Sequence, residues 1–210
     1  MTIERIKCGN GNCHIIIGEN GSVLVDTART KYREIILEKC KANNVKLIVL
    51  THGHVDHVQN AAYLSKELNV PIAMNKADYE LTKNNMLEPL FAHSILGKII
   101  LSLSMESLKK DIIEPFEPTV FLKEGISLSE YGVDAEVIEI PGHTKGSIGI
   151  KVGNTDFLVG DALMNMFYPT KSLLYCDRKQ VDSSADKISS FGKMKIHFGH
   201  GNSVDNRKKW

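Results

Sequence analysis

Lys46-Leu47-Ile48-Val49-Leu50, followed after Thr51 by His52-Gly53-His54-Val55-Asp56-His57, is the stretch on which the reading of this chain turns. Its first five residues are a short apolar run rich in branched side chains, which predicts a buried strand. Beyond it, His52 and His54 alternate along an extended segment, so both imidazoles can point the same way. Asp56 and His57 fall where a helical pattern begins, running to about Leu68, and the turn directs them to a neighbouring position. Four ligand-type side chains in so short a span serve two adjacent metal ions more comfortably than one. Imidazole and carboxylate are borderline to hard donors, which suit zinc, iron or manganese better than copper(I). A single histidine on a strand is usually a core or surface residue. Three of them with an aspartate, directly after an apolar strand, point to metal ligation.

Upstream, residues 13–17 and 22–25 read as strands joined by Gly18-Glu19-Asn20-Gly21, and the second ends at Asp26. Thr30 to Asn43 reads as a helix with an apolar stripe of Tyr32, Ile35, Ile36 and Cys40. Downstream, Val70 to Met74 suits a strand, with Pro71 favouring its start or a sheet edge. Residues 76–118 break this rhythm; Leu90, Ile95, Ile99, Leu103 and their neighbours predict two or three helices closed by Pro115 and Pro118. Strands return at 137–140, 147–152, 157–160 and 195–198. They lead into Pro141-Gly142-His143, Asp161 and Gly199-His200-Gly201. Every remaining candidate ligand thus stands just past a predicted strand, where a rigid scaffold meets an open edge.

The bulk properties exclude several classes. The chain has 210 residues, 42% hydrophobic and 24% charged, an ordinary composition for one globular domain. A formal net charge of +1 supplies no field toward nucleic acid or an anionic membrane. The N-terminal residues are charged and alternating rather than an apolar signal region, and the stretch from Ile95 to Met105 is short of the roughly 20 residues a membrane span needs. The four cysteines, Cys8, Cys13, Cys40 and Cys176, are scattered. They read as thiols of a reducing compartment, so the expected location is cytoplasmic. No Gly-x-Ser-x-Gly elbow is present, which speaks against a serine hydrolase.

In the His52–His57 signature, the chain resembles the metallo-β-lactamase superfamily, whose HxHxDH motif stands here intact. The family's other stations follow in order: Asp26 closing an early strand, Pro141-Gly142-His143-Thr144-Lys145-Gly146-Ser147, Gly160-Asp161 and Gly199-His200-Gly201. The resemblance implies an α+β fold, an αββα sandwich of two packed mixed sheets flanked by helices. It would span residues 1–210 as a single domain, with residues 76–118 as a helical insert serving as either a cap over the site or an interface. It implies two divalent ions, zinc first, with iron or manganese also suited. His52, His54 and His143 would bind one, Asp56, His57 and His200 the other, and Asp161 would bridge them. Asp26 would stand behind the ligands and orient an imidazole. His197 is a rival to His200; the glycines flanking His200 favour the latter. His14 and His93 read as structural.

Such a pair of ions activates a hydroxide for attack on a carbonyl or phosphorus centre. Asp56 would then be ligand and proton shuttle, and Asp56 and Asp161 the catalytic carboxylates. Zinc β-lactamases commonly carry Cys or Ser at the position of Asp161, which disfavours antibiotic hydrolysis. His54 argues against flavodiiron proteins, which carry Glu there, and Met164 stands where related lactonases carry Tyr. The nearest likeness is to small glyoxalase II-like hydrolases, without the C-terminal helical region that binds glutathione. The expectation is a hydrolase of a small ester, thioester, lactone or phosphoester. Its only partner would be that small molecule, with no nucleic acid or membrane, in a monomer or homodimer. Lys145 and Tyr168 are candidate substrate contacts. The alternative is a mononuclear non-haem iron oxygenase of the persulfide dioxygenase type, which the same motifs resemble.

Overall fold

The computed structural model of the protein describes all 210 residues. Strands β1 (Thr2–Cys8), β2 (Gly11–Ile17) and β3 (Ser22–Val25) form an antiparallel meander. β4 (Val45–Leu50), β5 (Ile72–Met74) and β6 (Val120–Phe121) continue it in parallel, giving a mixed sheet in the order β1-β2-β3-β4-β5-β6. The second sheet contains β7 (Ala135–Glu139), β8 (Ile148–Val152) and β9 (Asp156–Leu158). A two-stranded ribbon, β10 (Leu163–Met164) with β11 (Thr170–Lys171), intervenes. β12 (Lys195–His197) and β13 (Val204–Asp205) then complete the order β13-β12-β9-β8-β7. Only the β9–β12 pair is parallel, so this sheet is mixed too.

Period-two alternation divides the apolar side chains between layers. Val23, Val25, Leu47 and Val49 face the second sheet and pack with Val137, Ile148, Ile150 and Leu158. Leu24, Ile48 and Leu50 point the other way, against helices α1 (Arg33–Ala42) and α3 (Ala61–Leu68), which follow the strands they cover. On the far side, Ile138, Phe157 and Ile196 pack under Ala185 and Ile188 of helix α6 (Arg178–Ser190). The layers are therefore helix, sheet, sheet, helix, as the resemblance implied. No helix is long and apolar enough to cross a membrane.

Two local features depart from the sequence reading, and a third chooses between its alternatives. The helical run expected from Asp56 to Leu68 is split into α2 (Val55–Val58) and α3. Asn60 stands at the break, and its side-chain amide donates to the carbonyls of Thr27 (2.7 Å) and Arg29 (2.8 Å). Of the two places open to Pro71, the structure takes the strand start: it immediately precedes β5, an interior strand, and its carbonyl accepts from Ile48 N at 3.1 Å. Helix α6 has no counterpart in the sequence reading, because only Val181, Ser184, Ala185 and Ile188 are buried in an otherwise polar segment. Residues 76–118 contain α4 (Tyr79–Lys83) and the sixteen-residue α5 (Ile95–Lys110).

Candidate metal centre

The two sheets deliver their ligand-type side chains to one shared edge. His52 and His54 lie on the loop leaving β4, and Asp56 and His57 on the first turn of α2. His143 comes from the β7–β8 loop, Asp161 from the end of β9, and His200 from the turn after β12. Potential ligand atoms within 4.8 Å of one another form three overlapping groups: His52-His54-His143, His52-His57-Asp161 and Asp56-His57-His200. Asp161 is the hub. Its Oδ1 lies 3.5 Å from His57 Nε2, while its Oδ2 lies 3.7 Å from His143 Nε2 and 3.3 Å from His200 Nε2. His200 Nε2 is also 3.5 Å from Asp56 Oδ2. Asp56, with 28% of its side chain exposed, marks the open side; the other six are buried or nearly so.

A ring of acceptors fixes the imidazoles from behind. His57 Nδ1 meets Asp26 Oδ2 at 2.8 Å, His143 Nδ1 meets the Leu174 carbonyl at 2.8 Å, and His200 Nδ1 meets the Asn10 carbonyl at 3.0 Å. Carbonyl and carboxylate partners require Nδ1–H, which leaves the Nε2 lone pairs of these three rings facing the cluster. His52 Nδ1 contacts Thr51 Oγ1 at 3.1 Å. That hydroxyl is itself tied to Asp26, whose left-handed φ of 62° turns its carboxylate under both rings. His54 turns Nδ1 to His143 Nε2 at 3.0 Å. His52 Nε2, His54 Nε2, His57 Nε2 and Asp161 Oδ1 are buried without any hydrogen-bond partner. Buried polar atoms are ordinarily satisfied, so four orphans around one point fit a cation ligated there.

The electrostatics agree. Burial, then neighbouring imidazoles, hold His52 well below the usual value, and lower His54 to about 3. Burial opposes charge on His200 and His57 as well, but Asp161 and the other carboxylates outweigh it, raising His200 to about 10. Asp161 is held well below the usual carboxylate range, because His200 and His57 overcome its burial. An anionic hub that holds protons on two buried imidazoles also attracts divalent cations, which would displace those protons.

The supporting framework includes groups the sequence reading missed. Asp78, fully buried, accepts from Gly53 N (2.9 Å), Thr144 Oγ1 (2.7 Å) and Gly146 N (2.6 Å). One carboxylate thereby ties the His52–His57 loop to the Gly142–Ser147 loop. Asn85 adds a second tie, accepting from Val55 N at 2.7 Å and donating to the Gly53 carbonyl at 3.0 Å. Neither residue belongs to a motif, and only their position after β5 brings them here. His197, the rival to His200, is engaged elsewhere, by Asp156 at 2.7 Å and Ser203 at 2.9 Å. Its ring packs edge-on against His14, with centroids 5.5 Å apart. His93 lies beside Tyr175, away from the cluster. Lys145 and Tyr168 are both exposed; Lys145 faces Glu88, and Phe167 rather than Tyr168 lines the pocket.

A pocket of about 540 Å³ opens over His54, Asp56, His143, Asp161 and His200. The sequence model of the metallo-beta-lactamase superfamily matches residues 6–200. The probable metallo-hydrolase MJ0888 of Methanocaldococcus jannaschii is 30% identical over 200 residues, 91% of this chain and 88% of that protein. The hydroxyacylglutathione hydrolase GloC of Haemophilus influenzae is 28% identical over 170 residues, 71% of this chain and 73% of its own. Among solved structures, TTHA1623 in a di-iron-bound form superposes with a TM-score of 0.71 at 21% identity, over 98% of this chain and 94% of that one. That last likeness is one of fold.

Proposed function

The chain belongs to the metallo-beta-lactamase superfamily, and from that membership we propose that it is a dinuclear metal-dependent hydrolase of a small ester, thioester, lactone or phosphoester. The observation that carries this reading is the set of orphaned buried atoms on His52, His54, His57 and Asp161, of which His54 and Asp161 line an open pocket. His52, His54 and His143 hold one divalent ion; Asp56, His57 and His200 hold the other. Asp161 serves both, since its two oxygens face different imidazoles. Zinc suits the nitrogen-rich side best, and iron or manganese suit the same donors. Ions bound there supply Lewis acidity and a water acidified toward neutrality.

The chain's own residues do the remaining work. Asp26 and the Leu174 and Asn10 carbonyls hold the rings of His57, His143 and His200 so that no reorganisation accompanies reaction. Asp56, at the solvent side, is placed to take a proton on its free carboxylate oxygen and pass it to the leaving group. Asp161 spreads its negative charge between the two halves of the site.

Elemental analysis of the purified protein should give two divalent ions per chain, with turnover of at least one member of an ester, thioester, lactone and phosphodiester panel. Asp161→Ala should lose both metal and turnover. One iron per chain, with oxygen uptake on a persulfide and no hydrolysis, overturns the proposal in favour of a mononuclear oxygenase.

A further inference from the structure

The pocket is not lined evenly. Facing the ligands is a wall of Leu96, Ile99, Ile100 and Leu103 from α5, continued by Met164 and Phe167. Several of these present open apolar surface: Ile99 is 53% exposed, Leu103 73% and Phe167 69%. Single exposed apolar residues are unremarkable, but Ile99 and Leu103 lie one turn apart on the same face of α5, and with Phe167 they line the pocket that holds the candidate ligands. The wall is also anchored. At one end Phe91 and Tyr175 exchange backbone hydrogen bonds of 2.8 and 3.1 Å, and Ser94 caps α5 through Gly97 N. At the other, Asp111 pairs with Arg29, and Gln59 donates to the Ile112 carbonyl at 3.0 Å. Apart from its histidines, the lining has two basic side chains, Arg29 and Lys31, and the first is committed to Asp111. Away from the candidate ligands, such a lining offers much to a hydrocarbon and few free basic side chains to a polyanion.

Resting on the hydrolase reading above, we infer that the substrate is a carboxylic ester or thioester carrying a hydrocarbon chain, which lies against the α5–Phe167 wall while its carbonyl reaches the metal centre. Each methylene moved from water onto a fully apolar surface is worth up to about four-fold in binding. With one side of the chain left to solvent, about two-fold per methylene is expected. The substrate carbonyl would sit among His54, His143 and Asp161, candidate ligands that line the same pocket.

Two chain-length series test this on the metal-loaded protein, one lengthening the acyl side from acetyl to octanoyl and one the thiol side from methyl to octyl. S-lactoylglutathione serves as the polar comparison. At least one series should rise in kcat/KM by about two-fold per methylene and exceed S-lactoylglutathione. Leu103→Gln and Phe167→Ser, both at exposed positions, should cut the longest-to-shortest ratio of the rising series several-fold. Binding of acetate, hexanoate and octanoate by calorimetry gives a readout independent of turnover and should tighten in the same order. If esters are cleaved but both series are flat and carboxylate binding ignores length, the inference fails and the hydrolase reading survives. If carboxylates bind by length and nothing is hydrolysed, the hydrolase reading fails and the substrate assignment that rests on it falls with it. A dimer that buries α5 in solution, with a flat profile, would also overturn it.

Discussion

Asp78 is the residue on which the two ligand loops jointly depend. Its three acceptor contacts are to backbone or hydroxyl groups of the loops carrying His52, His54 and His143, and none of those groups has water to fall back on. Burial raises its pKa to about 6 against the pull of those three donors, so the group is held where its charge is disfavoured. Asp78→Ala leaves the buried Gly53 and Gly146 amides unpaired, at about 1–3 kcal/mol each before relaxation, and leaves Thr144 Oγ1 with Ser147 Oγ alone. A loss of about 2–4 kcal/mol in urea unfolding is expected, with metal affinity weakened about 10- to 100-fold, the scale seen when groups behind metal ligands are removed. Unchanged metal affinity in a folded variant would rule out a positioning role. His14 makes a second prediction at this scale. Burial, with His197 and Arg5 nearby, lowers its pKa to about 3. The unfolded chain takes a proton near pH 6.5 that the folded chain refuses, so the neutral ring's contribution is intact above that pH and is lost as pH falls toward 3. Between pH 8 and 5 this single group accounts for about 2 kcal/mol of lost stability. His14→Phe, compared with the parent in urea at both pH values, should remove most of that share; an unaltered pH slope would reject it.

Helix α6 shows how an element far from the motifs sets the position of a candidate ligand. Gly142 adopts φ of 131°, and a Cβ there would lie 2.3 Å from Val181 N on the first turn of α6. Asp177 caps that turn, accepting from Lys179 N at 2.8 Å and Gln180 N at 3.1 Å. Ser184 reaches the Pro141 carbonyl at 2.7 Å. Gly142→Ala should therefore push His143 from its Leu174 carbonyl and reduce bound metal from two ions to one, as elemental analysis would register. Asp177→Ala should cost about 1 kcal/mol of stability and leave the metal content alone. Equal effects of the two would mean the helix end, not the glycine contact, controls the loop. The same helix marks where reading the sequence stops working. β4 and the cluster after it were legible because period-two burial and ligand spacing are local. α6 was not, since its buried face places Ser184 and Ala185 between Val181 and Ile188, too little apolar periodicity to announce a helix. The split between α2 and α3 depends on Asn60 finding three carbonyls some thirty residues earlier. Asp78 and Asn85 escaped for a like reason: their partners are set by the crossover from β5, not by neighbours in sequence.

At the scale of the whole molecule, the candidate ligands divide between the halves of the sandwich. His52, His54, Asp56 and His57 follow the first sheet's β4, while His143, Asp161 and His200 hang from the second sheet. Ions held by both sets would cross-link the halves at the edge where the buried apolar layer ends. Without them, that edge encloses three aspartates, five imidazoles and four unpartnered polar atoms. Metal bound only by the folded chain stabilises it by RT ln(1 + [L]/Kd), about 2.7 kcal/mol at a hundred-fold excess over Kd. For a chain of this size each kcal/mol moves Tm by about 2–4 °C, so chelation should lower Tm by about 5–11 °C. The shift should be reversed by adding back zinc, and should shrink in Asp161→Ala, whose hub no longer joins the two halves. Differential scanning calorimetry on the loaded, chelated and reloaded protein measures all three. Equal Tm values for loaded and chelated protein would mean the cluster holds no cation of consequence to the fold. A shift that persists in Asp161→Ala would place the cross-link on the imidazoles alone and take the bridging role from that carboxylate.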